Sequence, residues 1–236
     1  MNDEPIRPVP LTSAARRVLG VLVEKAKTTP DNYPLTLNSI VTASNQKSNR
    51  DPKMELDDDQ VLTALDELRQ KGAVTEVQGS GRVIKYRHAA YQWLDVDGPG
   101  SAIMTELLLR GPQTLGELRT RASRMHAFVD LSAVQNEIKQ LRGKGLVKEL
   151  TPAGRGQLLA HTLYPPQEQQ YLQAKLEKRA ATEVKDLPHA NAESESSRGE
   201  FSSSENLNAV DKLLSRLEAV TERIDALEKR LAELEE

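Results

Sequence analysis

Between residues 12 and 165, apolar positions recur at helical spacing and then at strand spacing, and the whole order appears twice. TSAARRVLGVLVEKA (about 12–26) and LTLNSIVTAS (35–44) set apolar side chains three and four residues apart, the period of a helix with one buried face. Val61, Leu65 and Leu68 carry the pattern through a third segment that ends at Gly72, a residue suited to the left-handed turn that closes a helix. AVTEV and VIKYRH then alternate around the turn QGSGR, as a hairpin does. The second round runs SAIMTELLLR (101–110), TLGELRTRAS (114–123), a third helix with Leu131, Val134, Ile138 and Leu141 inward, Gly145, LVKEL, TPAGRG and QLLAHTL.

Shifted by 73 positions, LDELRQKGAVTEV (65–77) lies over IKQLRGKGLVKEL (138–150). Val61, Arg69, Lys71, Gly72, Val74 and Glu76 fall on Val134, Arg142, Lys144, Gly145, Val147 and Glu149, and Gly81-Arg82 falls on Gly154-Arg155. A gapless match of this length marks a duplicated module. Three helices followed by a hairpin is the winged-helix form of the helix-turn-helix. The expected fold class is α+β: a first winged-helix domain over 1–92, a second over 93–165, a helix over 166–184, a flexible linker over 185–205 and a coiled coil over 206–236.

EKAKTTPDNYPLTLN (24–38), NQKSNRDPKMEL (45–56) and LLLRGPQTLGELRTR (107–121) resemble the YceH-like family of tandem winged-helix proteins, over roughly residues 11–165. The resemblance implies the fold and not a biochemical role. Members of that family often carry cysteine just before the NQKSNRDP run; Ser44 stands there in this chain, so thiol chemistry is absent at that point.

Composition narrows the function classes. The chain has 236 residues, 38% hydrophobic and 28% charged, with no cysteine, which excludes disulfides, thiolate nucleophiles and cysteine-held zinc. No apolar run reaches membrane-spanning length, and MNDEPIRPVP has no basic start followed by an apolar stretch, so a cytoplasmic location without membrane association is expected. His88, His126, His161 and His189 show no metal-ligand spacing, and no phosphate-cradling glycine loop or nucleophile motif occurs. Neither enzymatic activity nor a cofactor is expected. Net charge is −1 over residues 1–100, +5 over 101–181 and −7 over 182–236, so the second repeat is the one suited to a polyanion.

In a winged helix the third helix enters the major groove and the wing touches backbone. The first repeat would present Asp59, Thr63, Asp66, Glu67 and Gln70 there, with Asp57 and Asp58 at the helix start, where one carboxylate serves as N-cap. Those charges repel phosphate. The second repeat would present Ser132, Asn136, Lys139 and Gln140, amides and a cation that suit base edges and phosphates. Arg119, Arg121 and Arg124 fall on or just after the preceding helix, where backbone contacts are expected, and Arg155 tips the wing. Arg69 and Arg142 sit at the edge of the apolar face and are expected to pair with Glu76 and Glu149.

NQKSNRDP (45–52) falls between the second and third helices of the first repeat, where that repeat is longer by five positions: 28 from Leu37 to Leu65, against 23 from Leu115 to Ile138. Asn45 suits a left-handed helix end and Asp51-Pro52 a turn. Beside this structural reading stands a functional one, a loop in which Asn45, Gln46, Lys47, Asn49 and Arg50 grip phosphate or a partner's backbone. Tyr33 is expected to staple the second helix, and Tyr91 and Trp93 to bury against a domain face.

Beyond the Ser- and Glu-rich stretch 186–205, Val210, Leu213, Leu217, Val220, Ile224, Leu227, Leu231 and Leu234 form a heptad seam. Arg223 and Arg230 at g face Glu228 and Glu235 at e of a parallel partner, so a parallel coiled-coil dimer of this chain is expected. Two functions fit these features. One is a DNA-binding, transcription-regulator-like protein that contacts double-stranded DNA through its second winged-helix domain. The other is a scaffold that binds another protein and makes no DNA contact.

Overall fold

Thr12 opens the first helix: its hydroxyl accepts from the Ala15 N–H. Helix α1 (Ser13–Thr28) then buries Val18, Leu19 and Leu22 at helical spacing. The computed structural model of the chain describes residues 9–78, 83–152, 154 and 156–185. After a 3-10 turn (Pro30–Asn32) come β1 (Leu35–Thr36) and α2 (Leu37–Ser44), capped by the Thr36 hydroxyl on the Ser39 N–H. Helix α3 (Asp58–Gln70) starts at a capping box. The Asp57 carboxylate accepts from the Gln60 N–H, and the Gln60 side-chain oxygen accepts from the Asp57 N–H. One of the three clustered aspartates is thus the cap, as expected. Gly72, at φ +74°, turns the chain into β2 (Val74–Gln78), and β3 (Ile84–His88) returns.

The order repeats after a short helix α4 (Ala90–Leu94), which straddles the expected domain boundary at residue 92. The second round is α5 (Gly98–Arg110), β4 (Gln113–Thr114), α6 (Leu115–Ala122), α7 (Leu131–Gly143), β5 (Val147–Glu149) and β6 (Leu158–His161). Helix α8 (Pro166–Lys185) follows, with proline at its start. Arg16 of α1 holds α8 through Glu168 at 2.5 Å, and its guanidinium lies 4.6 Å from the centre of the Tyr164 ring.

Each repeat ends in a three-stranded antiparallel sheet, ordered β1-β3-β2 and β4-β6-β5. Tyr86 lies opposite Leu35 and Glu76; Leu159 lies opposite Gln113 and Glu149. This register carries the 73-residue offset from the third helix through the hairpin. The five extra residues of the first repeat all fall between α2 and α3, over 45–57 against 123–130. The fold is therefore α+β, a duplicated module with small antiparallel sheets. Its shortest strands, β1 and β4, have two residues each and leave no alternation to detect.

The two modules share one core, in which α1 packs on α5. The approach is close at Gly20: a Cβ there would meet Leu109 Cδ2 and Cγ at 2.9 Å. Tyr91 and Trp93 pack partly buried against this core, as expected. Tyr33 packs there too, and its hydroxyl accepts from the His88 N–H at 2.6 Å, so it ties the start of α2 to β3. Among the described residues no helix is long and apolar enough to cross a membrane. The linker 186–205 and the heptad residues Val210 to Leu234 lie outside the described residues.

Candidate nucleic-acid interface

Helix α7 is built so that its charged and apolar faces separate. The Asp130 carboxylate accepts from the Ala133 N–H and starts the helix. Val134, Ile138 and Leu141 are buried, and Gly145, at φ +71°, ends the turn into β5. Leu131, expected inward, is 40% exposed. It is the first residue of the helix, with exposed Val129 two residues before it, and the core closes one turn further along. Ser132, Asn136, Lys139 and Gln140 are all exposed. The helix has a single carboxylate, Glu137, and that side chain is turned inward. Burial first, and then the charge of Asp97, pushes the Glu137 pKa up.

The three arginines before α7 divide. Arg119 is exposed on α6. Arg121 is held by Glu117 at 3.0 Å and by the Gln113 side-chain oxygen at 2.8 Å. Arg124 is spent on two carboxylates, Glu24 at 2.5 Å and Glu106 at 2.7 Å, both on the first helices of the repeats. Arg121 and Arg124, expected at the DNA backbone, are thus each paired within the chain. Arg155 lies outside the described residues.

In the loop 45–52, Arg50 turns inward while residues 47–49, 51 and 52 stay exposed. Arg50 is 5% exposed and forms a two-pronged pair with Glu24, at 3.1 and 2.5 Å. It also donates to the Ala43 carbonyl and to the Gln46 side-chain oxygen. Asn49 accepts from Arg110 of α5, and the Asp51 N–H donates to the Leu109 carbonyl at 2.9 Å. Asn45 exchanges two hydrogen bonds with the Leu56 backbone and has φ −90°, so the left-handed end expected for it is absent; Asn49, at φ +61°, takes the left-handed conformation instead. Of the five residues expected to grip phosphate, Lys47 alone keeps an exposed side chain with no partner among the described residues. The excess length of the first repeat is the joint between the repeats.

At the centre of that joint lie Glu24 and Glu106, both buried, with Arg50, Arg110 and Arg124 around them. Burial alone would raise the Glu24 pKa. The hydrogen bond from Arg50 and the charges of Arg50 and Arg124 outweigh it and hold that carboxyl below its usual value. Arg110 stands 3.3 Å from Glu106 without hydrogen-bond alignment. Arg17 has three backbone carbonyls as acceptors, of Ser44, Pro52 and Leu109, and burial lowers its pKa to about 10.

On the opposite repeat, α3 exposes Asp58, Asp59, Leu62, Thr63 and Asp66. Glu67, expected outward, is half-buried and accepts from the Thr12 hydroxyl and N–H, so it holds α1. Arg69 pairs with Glu76 at 3.1 Å and Arg142 with Glu149, as expected from their place on the helix edge. A further repeated element is His88-x-x-Tyr91 over His161-x-x-Tyr164, which the same 73-residue offset would have disclosed. Each imidazole accepts at Nδ1 from the backbone N–H two residues on, at Ala90 and at Leu163. Burial and then nearby cations hold both pKa values down, His88 to about 4 and His161 well below the usual value. His161 is buried and His88 half-buried, and for both the shift favours the neutral imidazole. Among the described residues no cluster of histidine and carboxylate could hold a metal ion.

A duplicated α+β module, with one third helix acidic on its solvent face and the other free of exposed carboxylates, is thus the class that fold and surface define. Residues 11–155 match the family described as "Protein of unknown function, DUF480", and the chain belongs to that family. It is similar to a UPF0502 protein of Rhodopirellula baltica, 62% identical over 77% of this chain and 76% of the relative. A UPF0502 protein of Geobacter sulfurreducens is 52% identical over 62% of this chain and 69% of its own length.

Proposed function

We propose that each repeat is a winged helix and that the second binds duplex DNA through the solvent face of α7, in a regulator-like protein. The order helix, short strand, two helices, hairpin supports the winged-helix reading, and the likeness to YceH-like tandem winged-helix proteins agrees with it. One observation carries the DNA reading: α7 exposes Ser132, Asn136, Lys139 and Gln140 while its only carboxylate, Glu137, is buried. Lys139 and Arg119 meet phosphates, Asn136 and Gln140 reach base edges, and exposed Val129 and Leu131 offer apolar contact to a thymine methyl or sugar. The heptads over 206–236 join two chains in parallel, which raises apparent affinity without new contacts. Such a protein works in the cytoplasm beside the chromosome.

The test is fluorescence anisotropy of the full chain on random duplex DNA over a salt series. Affinity falls steeply with salt, and Lys139→Ala or Arg119→Ala each makes the log–log slope shallower by about 1. Asn136→Ala weakens binding to preferred sequences by about 1–3 kcal/mol and relaxes preference at one position. Failure to bind at low salt would remove the proposal. Removing residues 206–236 halves the particle mass if the coiled coil is the dimer contact.

A further inference from the structure

Three of the exposed large apolar side chains in the described residues line one cleft of about 520 Å3 in the first repeat. Leu62 of α3 is 38% exposed, Val83 60% and Ile84, at the start of β3, 45%. Tyr86 and Leu37 complete the cleft, and Asp58 stands on its rim with exposed Asp59 next in the helix. Among the described residues neither aspartate takes part in an ion pair.

The fold does not demand this apolar surface. At the 73-residue offset fixed by the sheets, Leu62, Val83 and Ile84 correspond to Gln135, Gly156 and Gln157. The second repeat builds the same helix and hairpin with no apolar side chain at the three positions. Leaving three apolar side chains in water is unfavourable and is relieved when a partner covers them.

We propose that this cleft docks a partner protein through an amphipathic helix carrying apolar anchors flanked by lysine or arginine. The apolar floor accepts side chains spaced i, i+3, i+4 and i+7, and Asp58 and Asp59 meet the flanking cations. The same carboxylates repel phosphate, so nucleic acid is disfavoured as the occupant. The inference stands independently of DNA binding by the second repeat.

The probe is a synthetic helical peptide of leucine and lysine, about four turns long, titrated into the full chain with the Leu, Val and Ile methyl groups followed by NMR. Controls replace every lysine by glutamate, or every leucine by serine. The leucine–lysine peptide is expected to move the methyl signals of Leu62, Val83 and Ile84. The double variant Leu62→Gln with Ile84→Gln, which copies residues the second repeat already tolerates, binds it at least about tenfold more weakly. Asp58→Ser with Asp59→Ser weakens it less and brings the leucine–glutamate peptide level with it. The proposal is overturned if the peptide moves none of these methyls, if the Leu62/Ile84 variant binds as well as the parent, or if the glutamate peptide binds the parent equally well. It is also overturned if duplex DNA moves the same signals, or if they shift with protein concentration alone, which would make a second copy of this chain the occupant.

Discussion

The two repeats share their interior and differ on the surface that each would offer a partner. Val61, Leu65 and Leu68 are buried where Val134, Ile138 and Leu141 are buried. The glycine turns at 72 and 145 and the arginine–glutamate pairs at 69–76 and 142–149 match as well. On the solvent face of the third helix Asp59, Leu62, Thr63 and Asp66 give way to Ser132, Gln135, Asn136 and Lys139. Exposed positions change stability by only about ±0.5 kcal/mol, so they are free to diverge once the core is set. The difference teaches that duplication kept a scaffold and let two solvent faces diverge, one acidic and apolar, the other amide-bearing and basic.

The most severe way to break this arrangement is to remove a carboxylate at the joint. Glu24→Ala leaves Arg50 buried without a counter-charge and is expected to cost about 3–5 kcal/mol in urea denaturation. By contrast, Arg142→Ala, at an exposed pair, costs under about 1 kcal/mol. A loss of similar size in both variants would show that the joint is not a buried ionic contact.

Acid acts on both repeats, and more gently. The folded-state pKa of His88 is about 4, below the ordinary value near 6.5, so the unfolded chain takes up the proton first. Stability from this residue is complete above pH 6.5 and declines as pH falls toward 4. His161 behaves in the same direction from the second repeat. Glu24, whose folded pKa is depressed, contributes stability that is lost only below about 4.5. His88→Gln should flatten the thermal-melting profile between pH 6.5 and 4 and leave the acid limb below it. An unchanged slope would assign the window to other groups.

Exchanging surfaces sharpens the comparison with smaller effects. Asp59→Ser, Thr63→Asn and Asp66→Lys together give α3 the residues that α7 carries at 132, 136 and 139. Low-salt DNA affinity should rise, and the salt slope should steepen by about 1 for the added lysine. Smallest of all, Leu62→Gln with Ile84→Gln should move the urea midpoint by no more than about 0.5 kcal/mol in stability. A larger loss would make the cleft part of the core.

Much of the scaffold was legible in the sequence, because helix period, glycine caps and the offset are local signals. The pairing of Arg69 with Glu76 could be read for the same reason: both residues lie near one helix end and its following strand. The joint was not legible. Arg50 and Arg124 appear as free cations in any local window, since their partners Glu24 and Glu106 lie on other helices and, for Arg124 with Glu24, on the other repeat. A polar run marks a segment without apolar burial, but Arg50, paired with the buried carboxylate of Glu24, is buried as well. The exposed amides of α7 were legible as a face, while the apolar cleft was not, because Val83 and Ile84 alternate like any strand and their exposure depends on what lies across from them.

The close passage of α1 over α5 at Gly20 has a consequence for whatever the two surfaces hold. Two modules joined by a tether would let their cargoes wander; two modules fused along a helix pair keep them at one span and one angle. A nucleic acid on α7 and a peptide beside α3 would be presented like marks on a gauge. Loosening that contact would weaken joint engagement while each separate affinity stays as it was.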